Sequence, residues 1–403
     1  MHLRAFESRN FRLFFAGQSF ALITGWMKQA AIAWLIYRLT DSAALLAMTI
    51  FLTQAPVLVI TPFLNGILAR VSGHKLLFIL KSASVLQALT LAVLAYTDTA
   101  QAWSILALCF VSGIITGIES PFKQAIVTHM VDDPSMLSNA VVLNSINVNI
   151  ARLIGPLVGG FVIAYVGEAA CFLVNALANL AGVYSVTRMR LPDAMSKKQK
   201  SSGSLRIAAQ YVWRKPRLRT ALLLMAVMSA AFTPYYTVLA VYARDILHGN
   251  AATLGVLMSW VGVGTLSATV LLLLAEKRIN LSKATLFSAA GTGLSVLFFS
   301  INEGMFAAYA LCISIGFFTI FTSTGLAVLL QTRSDPAMRS SVMQLFTMAN
   351  VGVIPFGGLL LGCMGSLIGT AYALCLATVI GLGTISVIAM RYPPARRILR
   401  QAF

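Results

Sequence analysis

Apolar runs of about 20 residues recur along the chain, separated by short polar or basic stretches. They fall near 12-37, 43-68, 76-97, 102-125, 140-164 and 169-187, and again near 220-243, 252-274, 284-300, 305-329, 341-363 and 369-390. A hydrocarbon core of about 30 Å needs roughly 20 apolar residues per helix, so each run predicts a membrane-spanning helix. Barrel strands alternate in short segments, whereas these runs are continuously apolar, which argues against strands. The pattern predicts an all-α integral membrane protein with an N-terminal six-helix bundle over 1-187, a basic linker over 188-219, and a C-terminal six-helix bundle with a basic tail over 220-403.

The two sets of six look like copies. The stretch from Asp133-Pro134 to Gly160 returns at Asp335-Pro336 to Gly362, 202 residues later, with Met136 on Met338, Leu143 on Leu345 and Gly155 on Gly357. Two related membrane halves are the architecture of a transporter with a central substrate site. Composition agrees: 58% of residues are hydrophobic and only 10% are charged. A soluble domain of this size would not tolerate that balance.

Charge placement predicts orientation. The linker carries ten basic residues from Arg188 to Arg219 against one acid, Asp193, while the opposite side offers only Arg38 and Arg244. By the positive-inside rule this puts both termini in the cytoplasm of a bacterial inner membrane protein. The net charge of +18 then serves loop retention beside anionic lipid, and not nucleic acid, since nothing aromatic interleaves with the basic run in the way a stacking platform needs. Ser201-Ser202-Gly203-Ser204 reads as flexible, and Ile207, Ala208, Tyr211 and Val212 after it suggest a short amphipathic surface helix. The polar start lacks a cleavable signal, so the first helix is its own insertion signal.

The chemistry-bearing residues exclude several classes. Five cysteines are scattered singly, the four histidines fall at helix ends or in loops, and no Gly-rich phosphate loop follows a strand. Metal sites, disulfide frameworks, cofactors and a built-in ATPase are therefore not expected, and no nucleophile, base and acid converge as an enzyme requires. Energy must come from an ion gradient or from the substrate's own gradient. Glu119 is the single acid of twelve inside a span, one turn before Lys123. An i,i+4 pair between them would order the helix, and the alternative role for Glu119 is proton carrier. Lys28 and Arg152 have no acid within a turn of their own helices, so an anionic substrate is one way to balance them; snorkelling or local hydrogen bonds are the other. Gln18, Asn149 and Asn175 are candidates to line a cavity, as are Tyr235 and Tyr236 after Pro234, a proline that frees a carbonyl and bends its helix.

These residues carry a resemblance. Glu119-Ser120-Pro121-Phe122-Lys123-Gln124, then Asn139-Ala140, Leu143-Asn144-Ser145, Ala151-Arg152 and Gly155-Pro156-Leu157-Val158-Gly159-Gly160, resemble the major facilitator superfamily branch of the enterobactin exporter and macrolide-efflux-type permeases. Arg9-Asn10-Phe11-Arg12, Gly17-Gln18, Gly25-Trp26-Met27 and Leu39-Thr40-Asp41-Ser42 extend the likeness over most of the first half. The resemblance implies a twelve-helix permease that alternates between inward- and outward-open states and exports siderophores, drugs or other metabolites in exchange for protons. Gly155, Pro156, Gly159 and Gly160 resemble the antiporter motif of that superfamily, where small residues allow close helix contact.

Two departures from the family pattern bear on mechanism. The loop form Gly-x-x-x-Asp-Arg-x-Gly-Arg-Lys corresponds here to Gly66-Ile67-Leu68-Ala69-Arg70-Val71-Ser72-Gly73-His74-Lys75, so the gate acid is replaced by Arg70, for which Asp335 is an expected partner. Lys28 stands where the family more often has Gln. The expected function is a proton-coupled exporter of a small anionic or amphipathic metabolite, acting as a monomer in contact with membrane lipid. A lipid-handling permease, an importer, or a transport-inactive receptor or scaffold are the alternatives.

Overall fold

The computed structural model describes residues 4–60, 73–127, 137–188, 205–275, 280–336 and 338–391. Among these every element is helical. Helices α1 (Arg9–Thr40), α2 (Ala43–Ile60), α3 (Gly73–Tyr96), α4 (Ala102–Val127), α5 (Leu137–Tyr165) and α6 (Glu168–Arg188) precede a short α7 (Leu205–Arg214). Six more follow: α8 (Pro216–Ile246), α9 (Ala251–Ala275), α10 (Leu281–Ser300), α11 (Met305–Arg333), α12 (Arg339–Ile368) and α13 (Thr370–Arg391). Among the described residues twelve helices are long and apolar enough to cross a membrane. Gly66 and Arg70, the Lys197 to Ser204 stretch of the linker, and the far end of the predicted 43-68 run lie outside the described residues.

On several helices polar residues face inward and the outward face is apolar. On α6 Leu173, Leu177, Leu180 and Tyr184 are exposed, at helical spacing, while Asn175, Asn179, Gly182 and Val186 on the other face are buried. On α10 Phe287, Leu294 and Phe298 are exposed, and Ser288, Thr292 and Ser295 are buried. Lipid makes this inversion stable, because apolar side chains lose nothing by facing it and polar ones must find partners within the bundle. Helix ends are closed by local geometry. Asp41 ends α1 in the left-handed region and its N–H donates to the Tyr37 carbonyl at 2.9 Å. Gly369, at φ 90°, makes the turn between α12 and α13.

By its contacts the chain forms two units, Met1–Lys197 with Ala243–Ser259, and Lys198–Tyr242 with Trp260–Phe403. Each unit repeats the same close approaches. In the first, Gly155 of α5 meets α1 so tightly that a Cβ there would lie 2.6 Å from both the Ile23 carbonyl oxygen and Trp26 Cβ. In the second, a Cβ at Gly357 of α12 would lie 2.3 Å from the Ala230 carbonyl oxygen of α8. Likewise Gly113 of α4 abuts the Leu52 and Thr53 carbonyls of α2, and Gly316 of α11 abuts the Val261 carbonyl of α9. The first unit also receives the start of α9: a Cβ at Gly160 would meet Gly255 Cα at 2.8 Å, and Ser259 Oγ donates to the Leu153 carbonyl at 2.8 Å.

Helix α8 is irregular where proline predicts a bend, but the irregularity extends further. A π turn at Met228–Phe232 runs into a 3-10 stretch at Thr233–Val238 and a second π turn at Tyr242–Ile246. Pro234 has no N–H to give the ladder, and Gly357 packs against the carbonyl of Ala230, four residues before it. Helix α12 has its own π turn at Met348–Gly352, and Ser229 Oγ donates to the Asn350 carbonyl there at 2.9 Å. Irregular backbone at membrane depth is thus supplied with partners from the neighbouring helix.

Gly155→Val and Gly357→Val force side-chain atoms onto backbone and are expected to destabilise the protein by about 1–3 kcal/mol, the range for overpacking. Gly25→Ala, whose Cβ would meet nothing within 4 Å, should leave thermal unfolding of the purified protein near wild type. Equal midpoints for all three variants would contradict the packing described.

Candidate functional site

A chain of buried polar groups runs through the first unit across α1, α3, α4 and α6. Thr24 accepts from the Asn175 side-chain amide at 3.0 Å, and the Asn179 amide donates to the Asn175 carbonyl at 2.9 Å. Lys81 Nζ donates to Asn179 Oδ1 at 3.2 Å and forms an ion pair with Glu119 Oε1 at 2.9 Å. Lys28 Nζ donates to Gln87 Oε1 at 3.1 Å, and the Gln87 amide donates to the Leu108 carbonyl at 3.3 Å. Lys28 also lies within electrostatic reach of Glu119 and Lys81. The described cluster therefore holds two ammonium groups and one carboxylate.

Local sequence explains the placement. Asn175 and Asn179 sit one turn apart on the inward face of α6, and Gly182 leaves room for the Lys81 stem, whose Cδ would be 3.4 Å from a Cβ there. Ile115 and Phe122, one turn before and after Glu119, belong to an apolar cluster with Phe11, Phe14, Leu76, Leu80 and Leu143. That cluster keeps the surroundings of the pair at low dielectric, where removing one partner of an ion pair leaves the other uncompensated.

Glu119 is thus paired across helices with Lys81; the i,i+4 contact proposed from the sequence involves the Lys123 side chain, which lies outside the described residues. Lys81 and Gln87 are the residues that sequence reasoning passed over. The signal was present, since Lys81 is a lysine within the apolar span His74–Tyr96.

The other candidates fall elsewhere. Arg152 lies over the Trp26 ring, 5.3 Å from its centroid, and is half-buried between α5 and α1. Gln18 is half-buried on α1. Asn149 spends its amide on its own helix, donating to the Ser145 carbonyl at 3.0 Å. Tyr235 and Tyr236 belong to the second unit, with rings edge to face at 6.3 Å. Gly155 and Gly159 pack α5 against α1, with Gly159 on Met27, and Pro156 and Gly160 pack it against the start of α9 at Gly255. Gly73 opens α3, and Lys75, in its first turn, is exposed.

Two sets of ties lie at helix ends. In the first unit Arg244 meets Asp41 at 2.6 Å and stacks over the Tyr37 ring, Tyr37 donates a short hydrogen bond to Asp245, and Arg38 pairs with Glu168 at 2.9 Å. In the second unit Asp335, proposed from sequence as the partner of Arg70, is held by Lys215 at 3.0 Å, and its N–H donates to the Tyr211 hydroxyl at 2.9 Å. Lys215 also donates to that hydroxyl at 2.7 Å. The Tyr211 and Asp335 hydrogen bonds hold the Lys215 ammonium above its ordinary value, and Lys215, then Tyr211, holds the Asp335 carboxyl below its own.

Two predictions follow from these geometries. Lys81→Met and Glu119→Gln are each expected to cost about 3–5 kcal/mol, with the double variant recovering part of the loss; additive losses in thermal unfolding would show the pair to be uncoupled. For Asp335 the lowered value means that its contribution is complete above the ordinary carboxyl range and is lost as pH falls through the lowered value. For Lys215 the raised value means that its contribution is complete below the ordinary ammonium range and is lost as pH rises through the raised one. The small stability difference between wild type and Asp335→Asn should therefore be the same at about pH 5.5 and about pH 8.5. A difference that changes between those values would require another titrating group.

The comparisons agree with this architecture. The chain is 25% identical over 389 residues to the staphyloferrin A transporter of Staphylococcus aureus, covering 94% of this chain and 95% of that one. It is 25% identical over 260 residues to the multidrug efflux pump Tap of Mycobacterium tuberculosis, covering 62% and 60%. Among solved structures, a bacterial homolog of the human lysosomal transporter Spinster, inward-facing and unoccupied, superposes with a TM-score of 0.73 at 13% identity, covering 96% and 97%. The family model described as transmembrane secretion effector matches residues 2–398. A multi-pass membrane transporter with efflux-type relatives, and not an enzyme, the chain belongs to the transmembrane secretion effector family of the major facilitator superfamily.

Proposed function

We propose that the chain is a proton-coupled exporter, an antiporter, of a small anionic or amphipathic metabolite, working by alternating access with both termini in the cytoplasm. A siderophore is the first substrate class and a drug the second. The observation that carries this reading is the buried cluster in which Lys28 and Lys81 face a single carboxylate, Glu119. Uncompensated cations at membrane depth are costly and mark substrate or ion paths. The similarity to the staphyloferrin A transporter over 94% of the chain supports the siderophore. The shorter similarity to a multidrug efflux pump supports the drug.

The cluster suggests how proton and substrate exclude each other. An anionic group of the substrate is held by Lys28, while hydroxyl or amide donors of the same molecule occupy Glu119. A proton arriving at Glu119 removes that acceptor and weakens its tie to Lys81, which keeps its bond to Asn179. Substrate and proton then occupy the site in turn, as antiport requires. The ties among Arg244, Asp41, Tyr37 and Asp245 close one end of the first unit and must part for that end to open.

Metabolite profiling of culture medium with and without the protein, under iron-replete and iron-starved growth, tests the substrate. An iron-chelating carboxylate or catecholate should leave the medium and accumulate in the deletion strain; no change in iron starvation removes the siderophore assignment. In vesicles, Glu119→Gln should abolish transport driven by a pH gradient, and unaltered pH dependence would make Glu119 structural. Lys28→Met should weaken anionic substrates selectively.

A further inference from the structure

The second unit contains a cavity of about 210 Å³ that the transport reading does not use. It lies among the ends of α8, α10, α11 and α13. Its mouth carries Arg217, the second residue of α8, Arg333, the last of α11, and Ser282, the second of α10. Both arginines are exposed, and among the described residues neither is paired with an acid. Its walls are apolar, with Leu224, Leu286 and Leu326 running inward from the arginines. Leu224 and Leu326 are buried.

We infer that this cavity is a binding site for one anionic phospholipid, whose phosphate sits between Arg217 and Arg333 and whose acyl chain enters the leucine-lined crevice. Three features select this occupant. The arginines stand at the boundary residues of two spans, the depth at which a headgroup phosphate meets hydrocarbon. Ser282, in the first turn of α10, adds a hydroxyl donor at the same mouth. The apolar walls give a free phosphate ion nothing, whereas they shelter the first carbons of an acyl chain. The volume is below the roughly 300–1,000 Å³ of sites that enclose a small molecule, so the cavity suits part of an amphiphile and not a transported metabolite taken whole. It lies wholly within the second unit, apart from the charged cluster of the first.

The test uses the full-length protein in nanodiscs of phosphatidylcholine, with phosphatidylglycerol or inorganic phosphate added, read by native mass spectrometry and thermal unfolding. Phosphatidylglycerol should be retained at one molecule per chain and raise the unfolding midpoint, with phosphatidylcholine and phosphate doing neither. Arg217→Gln with Arg333→Gln should weaken retention about tenfold to thirtyfold, the equivalent of two surface cations near an anionic lipid. Arg217→Lys with Arg333→Lys should keep most of it. If the neutral double variant does not fold, Leu286→Trp supplies the test: it fills the crevice, leaves both arginines in place, and should abolish retention. Equal retention of phosphatidylcholine, unchanged retention in the neutral or crevice variant, or a shift reproduced by inorganic phosphate alone would overturn the assignment.

Discussion

The ion pair between Lys81 and Glu119 is the interaction on which the first unit depends. Inside an apolar bundle an ammonium cannot be left to water, and a carboxylate cannot be left to hydrocarbon. Their 2.9 Å contact joins α3 to α4, and the Asn179 bond carries the same lysine to α6. From there Asn175 and Thr24 extend the chain to α1. Four helices are thus tied through side chains whose alternatives in lipid are all worse. Lys28, bonded to Gln87 nearby, leaves the cluster with more positive than negative charge. A packing role alone would be served as well by hydrophobic residues of similar volume, since a buried ion pair is weak evidence for stability.

Around this polar centre, close backbone contact supplies the rest. Glycine on one helix against a carbonyl on the next recurs at Gly155 and Ile23, and at Gly357 and Ala230. Such contacts bring helix axes together without long side chains to interlock. They resist added volume and leave few side chains to reorganise if helices slide or tilt. In α8 the contact falls on the carbonyl four residues before Pro234, so the proline and the tight crossing share one stretch of helix. The π turns of α8 and α12 place irregular backbone beside that crossing, where Ser229 reaches the Asn350 carbonyl.

Much of the fold was legible because lipid demands long uninterrupted apolar runs, which identify helices without knowledge of their neighbours. The doubled Gly155 and Gly357 positions announced the repeat, and Pro234 announced the bend. The pairing of Glu119 with Lys81 was not legible, because a sequence displays neighbours at i,i+4 and hides those on another helix. Lys123 was visible by spacing; Lys81, 38 residues earlier in the chain, was visible only as a cation inside a span. The same limit applies to Asp335. Its tie to Lys215 and Tyr211 depends on α7 folding back beside the start of α12, which no local pattern states. The extent of the π turns in α8 depends equally on what packs against it.

Exclusion of proton and substrate at Glu119 is the central claim, and proton release on substrate binding tests it most directly. The measurement adds the metabolite that the culture profiling identifies to the purified, reconstituted protein in weak buffer with a pH-sensitive dye, alongside an independent binding signal. The account predicts that, at a pH low enough to protonate Glu119 beforehand, binding releases protons from the native protein and none from Glu119→Gln. Binding without proton release, or equal release from both proteins, would contradict it.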